Sequence, residues 1–198
     1  MYSLQNGPAM FLKLIFWCWD IFVLFWLINM FSNKRTAQRQ TAGSRLRYMV
    51  FFFLAFWLLF GGVFRHRQHP FEFVVLPHSL ALNIISLVLA LLGLSLSIWA
   101  RVVLGRNWSG TVTFKENHEL IERGPYAFIR HPIYTGMLLM FLGTALALGT
   151  FAGLMGVPIL FLSFWIKFRQ EEALMIEHFG DQYLTYRKRV SAIIPFVF

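Results

Sequence analysis

The sequence predicts an all-α integral membrane protein with about five transmembrane helices. The fourth and fifth are expected to form a short helical hairpin, followed by a cytoplasmic C-terminal amphipathic helix. Three observations lead there. The 198 residues are 58% hydrophobic and only 14% charged, against roughly 45–50% and 25% in soluble domains. The apolar residues gather into five runs separated by polar stretches. The arginines and lysines concentrate in alternate gaps between those runs, as the positive-inside rule requires.

The first run extends from Met10 to Phe31, interrupted by Lys13 and Asp20. Lys13 lies near an end and can snorkel to the interface, whereas Asp20 cannot easily do so. Asp20 therefore reads either as a polar contact between helices or as an acid lining a cavity. A linker from Ser32 to Arg47 follows, carrying Lys34, Arg35, Arg39, Arg45 and Arg47 and no acid. The second span covers Leu46 to Phe64 and the third Leu80 to Ala100. Between them runs a loop with Arg65, Arg67, Pro70 and Glu72. A polar segment of mixed charge, Arg101 to Pro132, leads into the fourth span, Ile133 to Leu148. Gly149 to Gly153 reads as a turn, and the fifth span as Leu154 to Phe168. These last two runs fall short of the roughly twenty residues a bilayer demands. The hairpin is thus expected to stop near the far headgroups or to thin the membrane.

Orientation follows from the charges. With five spans, the linkers after the first and third spans share one side with the basic tail. That puts the N-terminus outside and the C-terminus in the cytoplasm, in a bacterial inner membrane or the endoplasmic reticulum according to source. The net charge of +9 is then an orienting and lipid-binding charge, and nucleic acid is not an expected partner. Cys18 stands alone, so no intrachain disulfide forms. The first run is too long for the apolar region of a signal peptide and lacks a small-residue cleavage site. No repeat or second domain is visible. Residues 1–198 read as a single membrane domain, with three N-terminal spans in 1–104 and a core that carries the chemistry in 105–198.

The tail from Glu171 to Val190 reads as one amphipathic helix, or as two short ones broken at Gly180. Met175, Phe179, Tyr183, Tyr186 and Val190 recur at spacings of three and four and give one apolar face. Arg187, Lys188 and Arg189 close it, favourably for the helix dipole and for lipid phosphates. Ile193 to Phe198 is expected to return to the bilayer surface.

Two groups stand out as chemistry. The stretch from Arg123 to Gly136 packs two arginines, a histidine and two tyrosines into the approach to the fourth span. Pro132 suits the first turn of that helix, because its missing N–H would have had no partner there. His131 then sits at the helix mouth, where free backbone N–H groups attract an anion, and shares a face with Tyr134 and Thr135. Such a sequence also serves as a plain helix start with headgroup contacts. The second group is Glu171–Glu172, two adjacent acids at a membrane boundary. They suit hydroxyls, an ammonium or a sulfonium; alternatively Lys167 and Arg169, four and three residues before them, neutralise them as ordinary helical pairs. If the hairpin helices are neighbours, both groups converge on one spot. Metal is not expected: the six histidines are scattered, and no cysteine cluster exists. No G-x-G-x-x-G, P-loop or G-x-S-x-G is present.

The order His118-Glu119-Leu120-Ile121, Gly124-Pro125-Tyr126, Arg130-His131-Pro132-Ile133-Tyr134-Thr135-Gly136, Glu171-Glu172 and Phe179 to Val190 closely resembles the isoprenylcysteine carboxyl methyltransferase family. The resemblance covers Lys115 to Phe196; the first three spans match only in being spans. The wider superfamily also holds phospholipid methyltransferases, thiol methyltransferases and membrane sterol reductases. The resemblance implies a membrane-embedded S-adenosyl-L-methionine site without a Rossmann domain. Its implied cofactor contacts are His118, Glu119, Leu120, Ile121, Tyr126, His131, Pro132, Ile133, Tyr134 and Glu171; Arg130 and Glu172, adjacent members of the two groups, are expected to bind the cofactor with them. Where the prenylcysteine enzymes carry an arginine on the substrate carboxylate, this chain has Lys167, with Arg169 two residues on. Those two are the expected holders of an acceptor carboxylate. The implied function is carboxyl O-methylation of a lipidic or prenylated acceptor among membrane lipids. N-methylation of a phospholipid, S-methylation of a small thiol, a nicotinamide-dependent membrane reductase and a non-enzymatic membrane protein are the alternatives.

Overall fold

The computed structural model describes residues 7–29, 36–39, 42–64, 71, 73–108, 113–115 and 119–194. Helices α1 (Gly7–Asn29), α2 (Ala42–Phe64), α3 (Leu80–Leu104), α4 (Pro132–Leu148), α5 (Phe151–Phe179) and α6 (Asp181–Arg189) make up nearly all of it. A two-stranded antiparallel ribbon pairs β1 (Thr36–Arg39) with β2 (Thr113–Lys115). Among the described residues, 9–29, 80–104 and 151–179 are long and apolar enough to cross a bilayer, and α4 is apolar but shorter. The chain is an all-α integral membrane protein.

The ribbon fixes which helix ends lie together. β1 follows α1 and precedes α2, while β2 lies between α3 and α4, so those four termini share one end of the bundle. Near that end, Arg101 Nη2 also donates to Asn29 O at 3.1 Å. At the opposite end, Val75 N and Leu76 N donate to Gly149 O at 2.8 and 3.1 Å, and Phe151 N to Phe73 O at 3.0 Å.

Small residues let α3 and α4 lie close. A Cβ on Gly93 would run into the Gly136 carbonyl, and one on Gly143 would come within 2.5 Å of Ser86 O. Packing of this kind, rather than water exclusion, holds helices together in lipid. Trp19 Nε1 donates to Thr144 Oγ1 at 2.9 Å and ties α1 to α4. The same indole meets Phe56, Phe60 and Phe141 edge-on. Ser163 Oγ donates to Tyr48 O at 2.7 Å and fixes α5 to α2.

Several boundaries differ from the sequence reading. The turn after α4 has two residues, not five. Gly149 takes the left-handed conformation (φ 64°), and Thr150 caps α5 by accepting from Gly153 N at 3.2 Å, so α5 starts at Phe151. Nor does α5 stop at Phe168. The segment from Arg169 to Phe179 is rich in strong helix formers, and the first breaker is Gly180, at φ 52°. The acidic doublet is therefore inside the long helix, and only α6 remains as a separate tail helix. Met175, Phe179, Tyr183, Tyr186 and Val190 do form one cluster, but it packs on Leu120 and Ile176. Ile193 is buried, and 195–198 lie outside the described residues. Asp20 is exposed on α1.

Candidate functional site

The site begins with a backbone problem, how to start a helix at Pro132. His131 is the capping residue, with φ −124° and ψ 58° and no side-chain cap bond. Its imidazole is consequently available for α5. Upstream, a 3₁₀ turn, Gly124–Ala127, opens on Gly124 at φ 61° and buries Tyr126. The C-terminal segment straps this loop in place. Arg130 N donates to Ser191 O at 2.8 Å and His131 N to Ala192 O at 2.9 Å. Thr135 Oγ1 donates to Ile193 O and Tyr186 Oη to Tyr126 O, at 2.8 and 2.7 Å.

The acidic doublet divides its work, because successive helical residues point about 100° apart. Glu172 is buried and accepts from Arg130 Nε at 2.8 Å. His131 Nε2 lies 3.3 Å from the same oxygen, and Arg187 Nε lies 3.5 Å from Glu172 Oε2. Arg130 also donates to the carbonyls of Arg187 and Val190. This buried cluster locks the loop, α5 and α6 together. Glu171 instead faces a cavity and accepts from Tyr134 Oη at 2.6 Å, with His131 Nδ1 at 3.7 Å.

The cavity holds about 390 Å³ and is largely apolar. Lys167, one turn before Glu171, lines it too, with Nζ 5.3 Å from the Tyr134 ring centre and 5.6 Å from that of Tyr48. Tyr134 stacks on Phe164 at 4.7 Å and His131 on Phe168 at 4.9 Å. Burial raises the phenols of Tyr126, Tyr183 and Tyr186 above the usual tyrosine range, so all three are neutral donors at physiological pH.

Of the residues singled out from sequence, Glu119, Leu120, Ile121, Tyr126, Arg130, His131, Pro132, Ile133, Tyr134, Lys167 and Glu171 line this one cavity. His118 lies outside the described residues. Glu172 does not line the cavity; it sits behind Glu171 as the ion-pair anchor. Arg169 is exposed and away from the cavity. Two residues beyond Lys167 is about 200° around the helix, so only one of the two can face inward. Sequence reading passed over the walls supplied by the other helices: Trp26 from α1, Tyr48 and Phe52 from α2, and Asn107 with Trp108 after α3. A tyrosine amid the phenylalanines of α2 was the only available signal. The others look like ordinary bilayer residues.

A sequence profile described as phospholipid methyltransferase matches residues 81–182. The "Protein-S-isoprenylcysteine O-methyltransferase" of Schizosaccharomyces pombe is 38% identical over 109 residues, which is 54% of this chain and 46% of that protein. The Homo sapiens protein of the same name is 33% identical over 122 residues, 59% of this chain and 42% of the relative. The chain thus spans less than half the length of these two relatives. Among solved structures, a eukaryotic intramembrane Ras methyltransferase, isoprenylcysteine carboxyl methyltransferase, matches with a TM-score of 0.51 and 25% identity. That match covers 76% of this chain and 53% of the other.

Proposed function

The chain belongs to the phospholipid methyltransferase family, and from that premise we propose that it is an S-adenosyl-L-methionine-dependent methyltransferase acting on a lipidic carboxylate. The acceptor it suits best resembles the carboxyl group of a prenylated cysteine. One observation carries the proposal: the His-Pro loop and Glu171 meet across one cavity, with Tyr134 Oη 2.6 Å from the Glu171 carboxylate. The names of the matched relatives point the same way.

The residues fit the cofactor. Glu171 offers an anion to its ammonium or ribose hydroxyls, and the Tyr126 and Tyr134 rings suit a sulfonium. Around them the lining is largely apolar, with Asn107, Arg130 and His131 among its polar members. Bound there, S-adenosylmethionine supplies a methyl group already activated by its positive sulfur. A carboxylate acceptor is ionised at neutral pH, so no general base is needed. The chain's task is to align the acceptor and keep water away, using the apolar walls from Trp26, Phe52, Met137 and Phe164. Lys167 between two tyrosine faces gives an acceptor carboxylate its counter-charge. An amine acceptor would meet like charge there and would need a base, which favours the carboxylate.

The finer topology belongs to the same proposal. Five helices, α1 to α5, cross the membrane, with the N-terminus outside and the ribbon, the site and α6 on the cytoplasmic side. The sharing of one end by the α1, α3 and α5 C-termini supports that reading. Residues 105–198 carry the chemistry, and the first three spans supply walls.

Calorimetry on the detergent-purified protein tests it. S-adenosylmethionine is expected to bind, and a reduced nicotinamide is not; the opposite pattern overturns the proposal. With labelled cofactor, a prenylated cysteine should accept methyl where an amine headgroup or a small thiol does not. Lys167→Met should raise the acceptor KM about 10-fold or more, in line with loss of a charged hydrogen bond. Arg169→Ala should leave it unchanged.

A further inference from the structure

Lys167 is an unexpected member of the cavity wall. A lysine side chain is long and flexible, and near a membrane interface it ordinarily runs its ammonium out to water. Here it lines the cavity, with Nζ 5.3 Å from the Tyr134 ring centre and 5.6 Å from that of Tyr48. Both rings lie within the roughly 6 Å over which an aromatic face attracts a cation.

The two rings are held in different ways. Tyr134, on α4, stacks on Phe164 and gives its hydroxyl to Glu171. Tyr48 comes from near the start of α2, where Leu46, Met49 and Val50 are exposed and Tyr48 is buried. Its backbone is tied to α5, because Ser163 Oγ donates to Tyr48 O at 2.7 Å. Ser163 lies one turn before Lys167, so the two project from the same face of α5. Further along this helix pair, a Cβ on Gly156 would come within 3.1 Å of Ala55 O. The close packing of α2 on α5 therefore sets the Tyr48 ring beside Lys167.

A ring face suits this task better than an acid would. A carboxylate beside the ammonium would also hold it, but would take up its charge. A tyrosine face is neutral: it attracts the cation and leaves the charge for an incoming anion. Resting on the reading that Lys167 meets an acceptor carboxylate, we propose that Tyr48 is the positioning residue for Lys167. Its ring keeps the ammonium turned into the cavity, and the Ser163 bond fixes that ring against α5. The role belongs to the face of the ring and not to its hydroxyl.

The test is kinetic, on the full chain in detergent, with labelled S-adenosylmethionine and a farnesylated N-acetylcysteine as acceptor. Tyr48→Leu should raise the acceptor KM about 5–30-fold, the range of a partly to fully desolvated cation–π contact, with kcat and the cofactor Kd unchanged. Tyr48→Phe, which keeps the ring, should rescue KM. A trifluorinated phenylalanine at the same position keeps the shape but drains negative charge from the ring face, and should raise KM again. In a Lys167→Met background, Tyr48→Leu should change KM no further, because the group it positions is gone. A Tyr48→Phe variant as impaired as Tyr48→Leu overturns the proposal, as does a Tyr48→Leu effect that persists without Lys167. Should the leucine variant fail to fold, the phenylalanine and fluorinated variants decide, and equal KM values in those two overturn it. If Lys167→Met raises KM and Tyr48→Leu does not, only the role of Tyr48 falls. If the wild-type protein binds cofactor but transfers no methyl to this acceptor, or if Lys167→Met leaves KM unchanged, the acceptor reading falls as well.

Discussion

The two ends of the α4–α5 hairpin are built from the same pair of helices and could hardly differ more. At the far end, the chain reverses with a left-handed glycine, a threonine cap and backbone hydrogen bonds to Phe71, Phe73, Val75 and Leu76. The Phe73 and Phe151 rings stack over it at 5.1 Å. None of those interactions uses an ionisable side chain. At the near end, Arg130, His131, Lys167, Glu171, Glu172 and Arg187 crowd into one partly buried cluster. A turn can be made cheaply from backbone, as the far end demonstrates. Charge brought into a low-dielectric setting costs free energy, so its concentration at the near end, among the described residues, is what the proposed ligand site would explain.

That contrast can be broken most forcefully at Arg130. Arg130→Met leaves Glu172 buried with its main partner gone, and removing one member of a buried pair typically destabilises by about 3–5 kcal/mol. Unfolding of the purified variant should show the loss, together with release of the C-terminal strap to proteolysis. A variant as stable as the parent would mean that the cluster is not holding the end together.

Glu171→Gln separates binding from stability within the doublet. Glu171 faces the cavity rather than the anchor, so the melting temperature should shift little. Cofactor affinity should fall roughly 10-fold to 100-fold, the scale of one hydrogen bond to a charged group. Calorimetry reads the affinity; a normal dissociation constant would remove Glu171 from the binding set.

At the far end, Gly149→Ala forces a side chain into a left-handed position that disfavours one by about 1–2 kcal/mol. Its Cβ would also lie 2.8 Å from Leu76 O. Stability should drop by that modest amount while the dissociation constant for cofactor stays unchanged. A loss of affinity here would mean that the two ends are coupled.

The smallest effect is expected with pH. Burial holds the phenols of Tyr126, Tyr183 and Tyr186 above the unfolded value of about 10, so above that pH the unfolded chain releases protons that the folded state keeps. Their contribution to stability is full below about pH 10 and declines as pH rises through the gap. A melting temperature that is flat through the alkaline range would show that these rings are wetter than the near-end packing implies.

Local rules carry a good part of this fold. Composition and apolar runs gave a helical membrane protein. The basic linkers predict that the α1 and α3 C-termini share one end, and the ribbon between β1 and β2 independently gathers them there with the α2 and α4 N-termini. The His-Pro start of α4, the break at Gly180 and the pairing of that loop with Glu171 were legible because each depends on neighbours along the chain or on one hairpin. Helix periodicity alone could have separated Lys167 from Arg169 and Glu171 from Glu172, but only once one face was known to look inward. Tertiary structure decided that face. It also decided that Tyr48, Trp26 and Asn107, on helices far away in sequence, complete the cavity. In a chain 58% hydrophobic, a wall residue and a lipid-facing residue are chemically alike. Only packing tells them apart, because only packing determines which of them a ligand can touch.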